Sequence, residues 1–166
     1  MNNTFTIKHA IPSDDAKLKE IIDLSFPMFF RFFASHSVES GEPLLVSELE
    51  GLVVGFAKLI EFHVGDDKIG CVLWLAVHPG FRRRGVAAGL VKAGVECLRT
   101  RGSKLVFASV QRRNKVSLAT FSREGFRRMG FHGLWRLFGF RVFSFYRKIW
   151  YAPREIVLMH DGFNRK

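Results

Sequence analysis

The sequence predicts a mixed α/β domain, with a central mixed sheet of about six to seven strands flanked by helices. Three observations carry that expectation. Apolar runs of strand length alternate with amphipathic stretches of helix length. Clusters of Gly, Asp and Pro separate them. Early strands follow one another through tight turns, whereas later ones are separated by helical stretches, so antiparallel pairs should come first and β-α-β crossovers afterwards. No repeat, linker or low-complexity segment divides the 166 residues, which read as one domain, 1–166, with enough chain for its own core.

Taken in order, Phe5 to Lys8 alternates as a first strand. Pro12-Ser13-Asp14-Asp15 then opens a helix, with Ser13 or Asp14 as N-cap and Leu18, Ile21, Ile22 and Phe26 on one face. Pro27 interrupts, and Met28 to Phe33 suggests a second short helix. The run from Pro43 to Val64 reads as a hairpin turning near Glu50-Gly51, and Gly65-Asp66-Asp67 makes another turn. Ile69 to Val77 is apolar on both faces, as a central strand should be. A helix from Gly85 to Arg101 ends before Gly102, and Leu105 to Val110 is a fifth strand. Asn114 to Glu124 is a helix stopped by Gly125, and Glu155 to His160 is a final strand. The order is β-α-α-β-β-β-α-β-α-β. Between Phe126 and Tyr151 the reading stays open: Leu134, Phe138, Val142, Phe145 and Ile149 mark a helical stripe, but Gly139 and the aromatics also allow strand.

Charge and cysteine content narrow the function classes. Formal charge is +11, yet residues 1–81 carry −5 and residues 82–166 carry +16. Nucleic acid, an anionic membrane surface and a polyphosphate cofactor each suit that asymmetry. No apolar run reaches the length of a membrane span, and the first residues lack the basic head and apolar stretch of a signal peptide. Cys71 and Cys97 sit in apolar contexts without metal-ligand spacing, so the expectation is a reduced cytoplasmic protein with no metal.

The chemistry concentrates in "AVHPGFRRRGVAAGLV", residues 76–91. A strand that turns tightly into a helix leaves the helix's first N–H groups aimed outward as an anion site. Gly85 would let backbone approach an oxygen closely, and Arg82, Arg83 and Arg84 would add charge-assisted hydrogen bonds. Solvation of an exposed turn is the plainer reading of such a triplet. His78 before Pro79 reads as a turn residue rather than a base. Neither a Walker pattern nor a G-x-G-x-x-G motif is present.

Arg82-x-x-Gly85-x-Ala87 resembles the acyl-CoA signature Q/R-x-x-G-x-G/A of the GNAT acetyltransferase superfamily. "NKVSLATFSREGF", Asn114 to Phe126, is similar to that family's Asn-x-x-Ala/Ser…Gly-Phe helix, with Ser117 and Gly125-Phe126 in register. The resemblance implies the GNAT fold and acetyl-CoA, or another acyl-CoA, as co-substrate. It implies that the backbone of Leu75, Ala76 and Val77 holds the pantetheine arm where the fourth and fifth strands splay. It implies that N–H groups from Arg83 through Arg84, Gly85, Val86 and Ala87 to Ala88 cradle the pyrophosphate, with Asn114 fixing cofactor or water. Arg112 and Arg113 are candidates for the 3′-phosphate or a solvated loop.

Catalysis is where the chain departs from the family. Many members carry Tyr seven residues after the Asn; here Phe121 stands there. Members acting on protein N-termini carry Glu five residues before it; here that is Ser109. The remaining candidates are Glu61 and His63 at the end of the third strand, as a base through water or a solvated strand end, and Tyr151 as proton donor, with Tyr146 and Ser122 behind it.

The leading expectation is therefore an N-acetyltransferase moving acetyl or another short acyl group from CoA to a primary amine, by direct attack in a ternary complex. The acceptor is an amine on a small molecule or a protein. An acyl-CoA-binding module without turnover is the alternative, and a nucleic-acid-binding protein ranks last. Two aromatic segments, 25–37 and the Arg-rich 130–151, are read first as core or homodimer contact, next as an apolar acceptor pocket. Peripheral membrane contact by the second is the less favoured reading.

Overall fold

A computed structural model describes residues 5–38, 41–149, 151–152 and 154–160. Seven strands form one mixed sheet: β1 (Thr6–His9), β2 (Leu44–Leu49), β3 (Leu52–Val64), β4 (Asp67–Val77), β5 (Leu105–Gln111), β6 (Phe126–Met129) and β7 (Glu155–His160). Their order across the sheet is β1-β2-β3-β4-β5-β7-β6. The helices are α1 (Asp15–Ser25), α2 (Met28–Val38), α3 (Val86–Thr100), α4 (Lys115–Arg123), α5 (Phe131–Phe138) and α6 (Val142–Lys148).

Local chemistry sets most of the boundaries. Glu50 and Gly51 both have positive φ, 51° and 79°, which matches the twist of the β2–β3 hairpin they join. Gly65, at φ 64°, reverses the chain between β3 and β4. β4 pairs with β5 in parallel from Ile69↔Leu105 to Val72↔Ala108, and α3 is the crossover between them. β5, β7 and β6 then run antiparallel in turn.

The open region 126–151 holds three elements the sequence order lacked: β6, α5 and α6. β6 escapes a sequence reading because Arg127 and Arg128 break its alternation; both are exposed on the outer strand of the sheet, where charge blocks further pairing. Leu134, Phe138, Val142 and Phe145 of the stripe lie in helices, Ile149 caps the end of α6, and all five are buried, so Gly139 (φ 54°) separates two helices rather than marking a strand.

The chain divides into two compact units, one formed by Met1–Leu59 with Trp74–Gly94 and the other by Ile60–Leu73 with Val95–Lys166. In the first, α1 packs Leu18, Ile21 and Ile22 against Val46, Val53 and Phe56. Asp14 accepts from the Ile11 N–H (3.0 Å), tying down the entry to α1. Two glycines let α3 sit close. A side chain on Gly89 would collide with the Phe5 ring, and one on Gly55 would stand 2.9 Å from the Ala76 carbonyl. In the second unit, Phe107, Phe138 and Phe145 form an aromatic centre, with ring centroids 4.8–6.0 Å apart.

Candidate active site and family membership

The turn from β4 into α3 lies wholly in the first unit. A 3-10 turn, Pro79–Phe81, follows β4 and is held at both ends. The His78 N–H donates to the Val54 carbonyl (2.9 Å) and its Nδ1 accepts from the Gly80 N–H (3.2 Å). Nε2 lies 3.5 Å from the Glu20 carboxylate, and the ring meets Phe81 edge-on. His78 is therefore the brace of this turn.

Beyond it the chain takes two left-handed residues, Arg83 at φ 64° and Gly85 at φ 82°. Arg83 is not glycine, so that conformation costs about 1–2 kcal/mol and marks a backbone held for a purpose. The Gly85 carbonyl accepts from the Gly89 N–H (3.0 Å), the first bond of α3. Helix geometry then leaves the N–H groups of Val86, Ala87 and Ala88 without intrahelical partners, at the positive end of the dipole. A Cβ on Gly85 would meet nothing within 4 Å among the described residues, so the backbone angle is what demands glycine in the protein alone.

The three arginines divide their work. Arg82 Nε donates to the Val77 carbonyl (3.1 Å), closing the loop onto the end of β4. The Arg84 guanidinium lies over the Phe81 ring, 5.4 Å from its centroid. All three are exposed, as is Gly85. The sequence located the charges but not this bracing, because the partners are a strand carbonyl and a ring.

Also in the first unit, Trp74 on β4 packs edgewise on Phe26 (5.3 Å) and Phe30 (6.1 Å). Its indole nitrogen is buried and has no hydrogen-bond partner among the described residues. Met28, Phe29 and Phe32 of α2 face solvent, so the 25–37 segment is core on one side only.

The remaining sequence candidates lie in the second unit. Asn114 is the N-cap of α4, its Oδ1 accepting from the Ser117 N–H (3.1 Å). Phe121, at the position of the family's Tyr, is 3% exposed and packs edge-on against Phe126. The Ser109 hydroxyl donates to Glu155 Oε2 (2.6 Å), which also accepts from the Ala152 N–H (3.2 Å). The Tyr151 hydroxyl donates to the Glu155 carbonyl (3.2 Å), and its ring meets Tyr146. Glu155 was not singled out in the sequence; only the strand pairing brings it to Ser109.

Glu61 is a correction to the solvated-strand-end expectation. Its side chain is 8% exposed, with Arg101 Nε at 2.6 Å, Lys68 Nζ at 3.0 Å and Ser103 Oγ at 3.2 Å. Burial pushes its carboxyl up, but hydrogen bonds from Arg101 and Lys68 outweigh that and hold it below the ordinary range. A carboxylate so paired is a weak proton acceptor. His63 is exposed, and its carbonyl accepts from Lys148 Nζ (2.7 Å). Cys71 and Cys97 are both free thiols; burial and then Glu155 push Cys71 up to about 12, so it stays protonated.

The family model described as Acetyltransferase (GNAT) family matches residues 13–126, which span the β4–α3 turn and α4. No curated protein matches the chain. Among solved structures, a putative acetyltransferase of the GNAT family from Desulfovibrio desulfuricans aligns with TM-score 0.72 at 16% identity, covering 94% of this chain and 98% of that one. PaiA N-acetyltransferase from Thermoplasma acidophilum, in complex with coenzyme A, aligns at 0.67 and 12% identity, covering 95% and 98%. Ribosomal-protein-alanine N-acetyltransferase from Brucella melitensis aligns at 0.59 and 24% identity, covering 75% and 86%. At these identities the structural likeness speaks for the fold, and the family model carries the assignment: the chain belongs to the GNAT family of acetyltransferases.

Proposed function

We propose that the chain transfers an acetyl or other short acyl group from acyl-CoA to a primary amine. The observation that carries this reading is the braced turn from Arg82 to Ala88. It holds two left-handed residues, the N-terminal N–H groups of α3 and two arginines anchored to the loop, an arrangement suited to a pyrophosphate. The backbone of Leu75, Ala76 and Val77 would hold the pantetheine arm, and Asn114 would fix cofactor or water.

In the transfer itself the amine nitrogen attacks the thioester carbonyl carbon. The C–N bond forms, the C–S bond breaks, the amine nitrogen gives up one proton to water, and the CoA thiolate leaves and takes up one, so that amine and thioester become amide and thiol. A backbone N–H at Leu75 or Ala76 would stabilise the oxyanion. Tyr151 is the proposed proton donor, because Phe121 has no proton to give. Glu61 is not carried forward as the base, given its ion pairs. The buried Phe121 equally favours a second reading, an acyl-CoA-binding module without turnover.

Thermal unfolding against acetyl-CoA tests the cofactor. Ligand at about 100 times its Kd adds about 2.7 kcal/mol, or roughly 5–10 °C for a chain of this length. The wild type should show the rise and a folded Gly85→Glu should lose it, since a carboxylate would occupy the anion position. No rise at saturating acetyl-CoA overturns the proposal for that donor. Turnover with any amine then excludes the non-catalytic module.

A further inference from the structure

The second unit carries a surface that holds none of the residues proposed above for acyl transfer. From Phe131 to Lys148 the chain runs as α5, a 3-10 turn and α6, and buries Leu134, Phe138, Val142 and Phe145. The exposed positions of this segment are not polar in the ordinary way. Phe140, its ring edge-on to Trp135, is 82% exposed, Phe143 62%, Phe131 53% and Leu137 45%. Between them Arg136, Arg141 and Arg147 are also exposed. No acidic residue occurs anywhere from Gly125 to Arg154, while seven Lys and Arg do. Large apolar tips among cations on short outward helices suit an anionic lipid surface, where the rings enter the acyl boundary and the guanidinium groups meet headgroup phosphates.

We infer that the α5–α6 face docks on anionic phospholipid membranes. The charge pattern selects this occupant over the others. A second copy of the chain would bring two arginine-rich faces together with no carboxylate on either. A single-stranded nucleic acid would use the arginines and could stack bases on the phenylalanine rings, but it leaves aliphatic Leu137 exposed, so the vesicle and RNA arms below separate the two. Acidic groups near the segment are few. Glu124 caps α4, Glu155 is engaged with Ser109, Asp67 of the β3–β4 turn pairs with Lys104, and exposed Asp66, next to the Gly65 against which the Arg141 guanidinium lies, offsets one charge. Lys148 reaches the same hairpin, donating to the His63 carbonyl and lying over the Phe62 ring.

The test is co-sedimentation of the full chain with vesicles of phosphatidylglycerol and phosphatidylcholine, against vesicles of phosphatidylcholine alone, at low and high salt. Binding should need phosphatidylglycerol and weaken with salt. Phe140→Ser with Phe143→Ser should weaken it about tenfold or more through loss of apolar insertion. Both rings are exposed, so this variant should keep its thermal midpoint. Arg136→Gln with Arg147→Gln gives a second variant that leaves the apolar tips in place, and it should weaken binding and flatten the salt dependence. Wild type that stays in the supernatant overturns the proposal, as does sedimentation unaffected by either pair. Binding of single-stranded RNA without vesicle binding, or a dimer in gel filtration abolished by the phenylalanine pair, also overturns it.

Discussion

Tyr151, the proposed proton donor, is already engaged within its own segment, by its ring with Tyr146 and by its N–H with the Tyr146 carbonyl. Its hydroxyl donates to the Glu155 carbonyl, an acceptor that it would have to leave to protonate a thiolate. Tyr151→Phe should therefore have two separable effects. Loss of that bond should cost about 1 kcal/mol of stability. Loss of the proton donor should lower kcat about 10²-fold with KM little changed. Unaltered kcat in steady-state assays would remove Tyr151 from the chemistry and leave water to protonate the thiolate. Arg83 was visible in the sequence only as one charge of three; its left-handed backbone was not, because φ at a non-glycine residue has no residue-type signature.

At the level of elements, close packing of α3 on the sheet depends on residues with no side chain. Gly55 on β3 faces the Ala76 carbonyl, with Leu90 Cδ1 and Val86 Cγ1 of α3 at 3.2 Å from an added Cβ. Gly55→Val should force those atoms apart and cost about 1–3 kcal/mol, read as a lower urea midpoint. Because Val86 opens α3, the same change should also weaken acetyl-CoA binding more than an equally destabilising change elsewhere. The positions of β1 to β5, α3, α4 and β7 were legible to within about two residues, since periodicity, caps and turn glycines are local. β6 was not, because paired arginines hid its alternation, and Gly139 left α5 and α6 undecided until their common stripe was seen buried.

For the whole molecule, pH dependence of stability tests the assignment of Glu61 as a structural ion-pair centre. Its carboxyl titrates lower folded than unfolded, so its contribution is fully present above the unfolded value of about 4.3 and is lost as pH falls through the folded value. In urea unfolding across this range, wild type should exceed Glu61→Gln most clearly above about pH 5, and the gap should close on further acidification. A gap that does not change with pH would mean the cluster acts by packing rather than by charge. Charge asymmetry along the chain, −5 before Arg82 and +16 from it, belongs to this scale too. The turn into α3 carries three of those cations, Arg82 to Arg84, and the α5–α6 segment four, Arg136, Arg141, Arg147 and Lys148.

Order of elements outside 126–151, the turn that presents N–H groups at the start of α3, and the family were determined by the sequence. Each depends on residues within a few positions of one another, where periodicity, glycine and capping chemistry act. What only the tertiary structure decided are contacts between distant residues. Arg101 reaches Glu61 across 40 positions and turns a candidate base into an ion-pair centre. Glu155 reaches Ser109 across 46 positions and supplies a carboxylate beside β5 that the local motif lacks. Burial of one face of 131–148 sends the other outward. Long-range partners and solvent exposure are properties of the packed chain, and no local pattern encodes them.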